Sequence, residues 1–289
     1  MRLRAIDTDE RVGRVPTHFY KSRSLLRKTP HNHYDSFSQK IPSSWYGVPI
    51  KYDQFWDNER KDDNGITVLD GFGYTDFFSS CLYFRPMSVL LNNSYLQNLV
   101  STPIRINKSL IDNIVSKLDD KYIQQPVNRN LCPDGVVFLP GTNLLERKYV
   151  DYRAVKQAVN NGAKVKPHPL TTRFHYEWLK VFFGESNVID INDAGDYYLK
   201  ECKTVFCCSN SEMGLKALLL DKEVHSVEVR DPDKFGGFES IYKAVKFNKN
   251  RLEKLISSDR SGIVDIEYKC LPRIKNYLRS FNFFIKGIE

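Results

Sequence analysis

Between residues 134 and 229, five short apolar runs alternate with four segments patterned for helices. This alternation constrains the fold more than any other feature. The runs fall at 135–139, 163–166, 187–191, 203–208 and 223–229. Strands that are apolar nearly throughout bury both faces, which happens in parallel sheets covered by helices on either side. Helical patterning fills 149–161, where Gly162 suits the end, then 171–183, 194–202 and a stretch from Ser209 to Leu220. The expectation is an α/β fold whose C-terminal lobe is a Rossmann-like parallel sheet with helices on both faces.

Ligands of open parallel sheets bind outside the carboxyl ends of the strands, so the residues just past each run are the candidate site. They are Pro140-Gly141-Thr142-Asn143, Lys166-Pro167-His168-Pro169, Asn192-Asp193 and Ser209-Asn210-Ser211-Glu212. Arg230-Asp231-Pro232-Asp233 follows the fifth run. Two prolines around His168 fix its backbone and stop both strand and helix, leaving an imidazole at the sheet edge beside Lys166. Such a ring can donate to a phosphate oxygen or transfer a proton. Ser209 and Ser211 at a helix start read equally as an anion site or as a plain cap, Ser209 with Glu212 forming a capping box.

The earlier part of the chain reads less clearly. The run 66–69 predicts a buried strand, and Asp70-Gly71-Phe72-Gly73 a turn closing it. Asp70 would then face the second lobe across a cleft, placed to act as a general base, or serve only as an Asp-Gly turn. Residues 107–123 carry apolar positions 110, 111, 114, 115 and 118, the spacing of a surface helix. The Gln124-Gln125-Pro126 segment suits a crossover. The expected division is therefore an N-terminal lobe at 1–130 with an irregular basic arm, and a C-terminal lobe at 131–289.

Several chemistries lack their motif. There is no GxxxxGK[ST], no complete GxGxxG and no GxSxG elbow, and the six His and six Cys show no zinc spacing. No metal or resident cofactor is expected.

Three pieces in order carry a family likeness. Val68-Leu69-Asp70-Gly71-Phe72-Gly73-Tyr74 resembles the acidic-acidic-Gly motif of bacterial sialyltransferases and polysialyltransferases. Lys166-Pro167-His168-Pro169 resembles their His-Pro motif. Phe206-Cys207-Cys208-Ser209-Asn210-Ser211-Glu212 resembles their Ser-rich motif, and also a segment of capsule-polysaccharide transferases. The resemblance implies a GT-B glycosyltransferase, with two Rossmann-like lobes and a nucleotide sugar between them. It implies Asp70 as base toward the acceptor hydroxyl and His168 as the group stabilising or protonating the departing phosphate. Ser209 and Ser211 would hold that phosphate. Gly141, Thr142, Lys166 and Glu212 complete the expected donor-binding set.

Charge bears on the acceptor. The chain carries +8, and its ends hold the excess: residues 1–34 have eight Lys or Arg against three Asp or Glu, and residues 243–289 eleven against five. Basic ends attract polyanions, so a surface glycan and a hydroxylated base in DNA are both candidate acceptors. A non-catalytic nucleic-acid or membrane module is the remaining reading. Residues 274, 277, 278, 281, 285 and 288 make one apolar helical stripe among basic residues, which suits either an anionic membrane surface or a final helix packed on its own core. The opening Met-Arg-Leu-Arg-Ala-Ile-Asp has no apolar leader core, and no CxxC occurs. A cytoplasmic protein, peripheral at the inner membrane face, is expected.

Overall fold

The structure is a computed structural model that describes residues 50–52, 60–61, 67–68, 72–78, 81–86, 88–118, 133–146, 149–169, 171–229, 238–265 and 270–287. The chain forms two compact units, one built around residues 122–231 and the other around 22–121 with 232–289.

In the first unit, Val136 and Val137 are fully buried at the centre of a parallel sheet. Their strand, β6 (Gly135–Phe138), pairs on one side with β7 (Lys164–Lys166) and on the other with β8 (Thr204–Cys207). Strand β9 (Glu223–Ser226) closes the sheet beyond β8. It is polar and exposed except for Val224, as an edge strand should be. The run at 187–191 does not form a full strand. Val188 makes a single parallel bridge to Val165, and Ile189 N–H donates to the Val165 carbonyl at 2.8 Å. The Asp190 carboxylate then accepts the Asn192 N–H at 2.8 Å, and this local turn pulls the chain off the sheet. Read outward from both sides of β6, the strands follow the order 3-2-1-4-5 of a Rossmann-like sheet.

Helices α3 (Thr142–Leu145), α4 (Tyr152–Asn160), α5 (Arg173–Phe183), α6 (Gly195–Glu201) and α7 (Glu212–Leu219) flank this sheet. Their starts are chemically marked. Asp151 accepts the N–H groups of Arg153 and Ala154, Thr172 that of His175, and Ser211 that of Met213. Residues 171–183 were expected to be helical, and α5 fills that stretch.

The second unit carries a mixed sheet, ordered β1 (Ile50–Tyr52), β4 (Phe72–Phe77), β5 (Cys81–Pro86), β10 (Ile263–Asp265). Only β1–β4 is parallel; β4–β5 and β5–β10 are antiparallel. A separate antiparallel pair joins β2 (Arg60–Lys61) to β3 (Thr67–Val68). Helices α1 (Val89–Ser101), α2 (Lys108–Ser116), α8 (Glu239–Val245), α9 (Lys249–Ser257) and α10 (Cys270–Lys286) belong to the same unit. Its core is aromatic: Tyr95 and Phe72 meet Tyr277 and Phe281 edge-on at 5.1–6.0 Å. Gly262, at φ +79°, is required here, because a Cβ would stand 2.1 Å from the Phe84 carbonyl oxygen.

Three expectations change. A second Rossmann-like lobe is not formed by the described residues, since two of the three pairings in that sheet are antiparallel. Phe72 and Gly73 lie inside β4 rather than in a turn. The division at 130/131 into two contiguous lobes does not hold, because β10 pairs with β5 and carries residues 238–287 into the unit of the first half. Of the two readings open for the α10 stripe, packing on the core takes Ile274, Tyr277, Leu278 and Phe281, which are buried. Ile285 is half-buried, and Ile288 lies outside the described residues.

Candidate functional site

The chain leaves β6 toward β7 on one side and later enters β8 on the other, so the sheet reverses its winding between β6 and β8. Sheets of this kind bind ligands in the crevice outside the carboxyl ends of the strands at this reversal. Residues 139–142 follow β6, 208–211 follow β8, and His168 follows neighbouring β7.

On the β6 side Leu139, Pro140, Gly141 and Thr142 are buried. Gly141 precedes the four-residue α3 and offers no side chain to cap it. Thr142 Oγ1 accepts the Thr172 N–H at 2.8 Å and lies 3.4 Å from Thr172 Oγ1. The latter lies 2.9 Å from His175 Nδ1, and His175 Nε2 is 3.9 Å from Glu146 Oε1. Thr142 thus ties the β6 loop to the start of α5.

Lys166 is buried at the end of β7. Its Nζ donates to the carbonyls of Pro167 at 3.1 Å and Ile191 at 3.0 Å. Burial lowers its pKa to about 8, against the pull of the Asp193 and Asp190 carboxylates. The amine holds two backbone segments at the sheet edge together, rather than reaching for a donor phosphate. A lysine whose folded pKa lies below its unfolded value destabilises the fold while charged. Between pH about 8 and the ordinary 10.5 the unfolded chain holds more protons, so stability from this group rises with pH across that window. The unfolding free energy of the wild type relative to Lys166→Met should climb between those pH values; a flat difference would contradict the burial. His168, half-buried, sits on the turn that follows, and its carbonyl accepts the Thr171 N–H at 2.9 Å.

On the β8 side the structure departs from the sequence reading. Ser209 is not the helix cap; Ser211 is, after a turn closed by its N–H donating to the Cys208 carbonyl at 2.9 Å. Ser209 is engaged elsewhere. Glu228 Oε2 accepts the Ser209 N–H at 2.9 Å, the Ser209 hydroxyl at 2.8 Å and the Tyr149 hydroxyl at 2.9 Å. Burial and the Glu228 charge push the Tyr149 phenol well above its ordinary range, so it stays a donor. A carboxylate occupies the donors once assigned to a phosphate. Glu228→Ala should destabilise by about 2–4 kcal/mol, because three buried donors lose one charged acceptor. Urea unfolding measures this, with Glu228→Gln expected to recover part of the loss.

Glu212 is one of three members of a buried ion cluster. Lys216 Nζ, at 0% exposure, lies 2.9 Å from Asp196 Oδ1 and 3.3 Å from Glu212 Oε1. Both lysines near this edge are thus engaged inside the fold. Asn210 Oδ1, on the loop before α7, is buried with no hydrogen-bond partner among the described residues. That open carbonyl oxygen would accept from a ligand bearing hydroxyl or amino groups.

Gly141, Thr142, Lys166, His168, Ser209, Ser211 and Glu212 are all placed on this sheet's carboxyl side; Asp70 and Asp231-Pro232-Asp233 lie outside the described residues. Tyr149, Asp196, Lys216 and Glu228 were missed. Lys216 had a signal, being the one cation within the apolar helix Met213–Leu219. Glu228 had none, since it alternates with Val227 and Val229 as a strand residue would. Among the described residues no group of three or more His, Cys, Asp or Glu could hold a metal, and no helix is long and apolar enough to cross a membrane. Compared with known proteins, the chain matches no family model and no curated sequence.

Proposed function

We propose that the chain is a glycosyltransferase that moves a sugar from a nucleotide sugar to an acceptor hydroxyl, with a surface glycan as the acceptor. The observation that carries the reading is the reversal of winding between β6 and β8, with His168 on the turn after the adjacent β7. The order of the Asp-Gly, His-Pro and Ser-rich motifs supports it, as does the buried, unpartnered Asn210 Oδ1, which suits a sugar or ribose hydroxyl. In this reading the two units form a GT-B-like enzyme that needs no metal, and Asp70 takes the proton of the acceptor hydroxyl. His168 donates to the bridging phosphate oxygen as the glycosidic bond breaks. Ser211 and the backbone N–H groups opening α7 face the phosphate, while Ser209 works through Glu228.

A thermal-shift panel with CMP, UDP, GDP, ADP and their sugars tests donor binding. One nucleotide at 100 times its dissociation constant should stabilise the chain by roughly 2.7 kcal/mol. No shift with any of them would remove the reading. The basic ends favour DNA as the second acceptor class. Turnover stimulated by hydroxylated DNA, and falling steeply with salt, would select it over a glycan.

A further inference from the structure

Helix α5 is apolar on two opposite sides. Tyr176, Leu179 and Phe183 face the core and are buried. Phe174, Trp178, Val181 and Phe182, spaced i, i+4, i+7 and i+8, lie on the other side. There Phe174 is 74% exposed, Val181 86% and Phe182 38%. Most exposed apolar residues of a soluble surface occur singly; a contiguous row marks a place where something binds.

The row extends onto α4. Tyr152 meets Trp178 edge-on at 5.2 Å and Phe182 at 6.1 Å, and Trp178 stacks on Phe182 at 5.0 Å. Lys156 Nζ stands 5.4 Å from the Phe182 ring centroid. Arg153, Lys156 and Arg173 are exposed around the patch. Lys180 is bridged by Glu177 at 3.6 Å and Glu185 at 3.7 Å. Counting the flanks of α4 and α5, four cations stand against Asp151, Glu177 and Glu185; the last two pair with Lys180, which leaves Arg153, Lys156 and Arg173 as the cations around the patch.

We infer that the outer face of α5 docks on an anionic lipid bilayer. Phe174 and Val181 enter the acyl boundary, and Trp178 lies at headgroup level. Arg153, Lys156 and Arg173 reach lipid phosphates along their aliphatic stems. Charge selects this occupant. A second copy of the same face would bring like charges together. Nucleic acid would want open aromatic faces for its bases, whereas Phe182 is covered by Trp178 and Lys156, and aliphatic Val181 is the most exposed residue of the row. This contact lies on a different element from the 274–288 stripe, and it stands without the proposed activity.

The test is co-sedimentation of the full chain with phosphatidylcholine vesicles, with and without phosphatidylglycerol. Binding is expected only with the anionic lipid and should fall as salt rises. Phe174→Ser with Val181→Ser should weaken it roughly tenfold or more, since two exposed apolar side chains lose their burial in lipid. The melting temperature should change little, because both side chains are largely exposed and Phe174 meets only the His175 ring edge. In Trp45→Phe/Trp56→Phe, the Trp178 emission should shift to the blue on adding anionic vesicles. Phe283→Ser, an isolated exposed residue on α10, should bind as the wild type does. Binding that survives the double substitution, or is equal with both vesicle types, would overturn the inference. So would no binding at all, or a dimer in free solution that the same two substitutions convert to a monomer.

Discussion

His168→Ala is expected to lower nucleotide-sugar turnover by roughly two orders of magnitude or more, the range that a positioned acid or base contributes. The melting temperature should stay close to that of the wild type. The ring is half-buried on a turn whose path is set by Pro167, Pro169 and the Lys166 clamp to the Ile191 carbonyl. His168→Gln keeps a donor but cannot pass a proton, so it separates the two roles. Partial recovery assigns His168 to phosphate stabilisation, and none assigns it to proton transfer. Turnover of His168→Ala within fivefold of wild type would place the chemistry elsewhere.

Lys216→Ala is expected to have the largest effect on stability. Lys216 is fully buried between the carboxylates of Asp196 and Glu212. Truncating it leaves two negative charges inside the α6–α7 packing with no cation, at a cost of about 3–5 kcal/mol. For a chain of this size that lowers the melting temperature by on the order of 10 °C. Neutralising the partners in the same background, with Asp196→Asn and Glu212→Gln, should restore much of it. A drop of under about 3 °C would mean that water reaches the cluster. Because Ser211 and Glu212 open α7, the same variant should also weaken nucleotide binding if the crevice is the donor site.

The core of the parallel sheet was legible in the sequence because burial on both faces demands apolar residues throughout, as in Val136-Val137-Phe138 and Val205. The outermost run was misread for a local reason: Asp190 offers its own turn and competes with the ladder at 187–191. Ser209 satisfied the capping-box pattern with Glu212, but Glu228 captures both of its donors from the far end of β9, and no short-range pattern encodes that. The return of the chain into the second unit was hidden for a similar reason. It rests on Ile263–Asp265, three residues whose partners are Tyr83, Leu82 and Cys81. The α10 stripe shows the limit of periodicity, since the same spacing describes a membrane face and a core face, and only packing against Phe72 and Tyr95 decides between them.

We propose that the carboxyl edge of the β6–β9 sheet binds a nucleotide sugar and that His168 acts on it. This is tested most directly by following nucleotide release from CMP-, UDP-, GDP- and ADP-sugars, in wild type and His168→Ala side by side. Release from one donor class by the wild type, its loss in the variant, and retained binding of the free nucleotide by both are expected. Release by neither protein from any donor, with no nucleotide bound at the crevice, would contradict it.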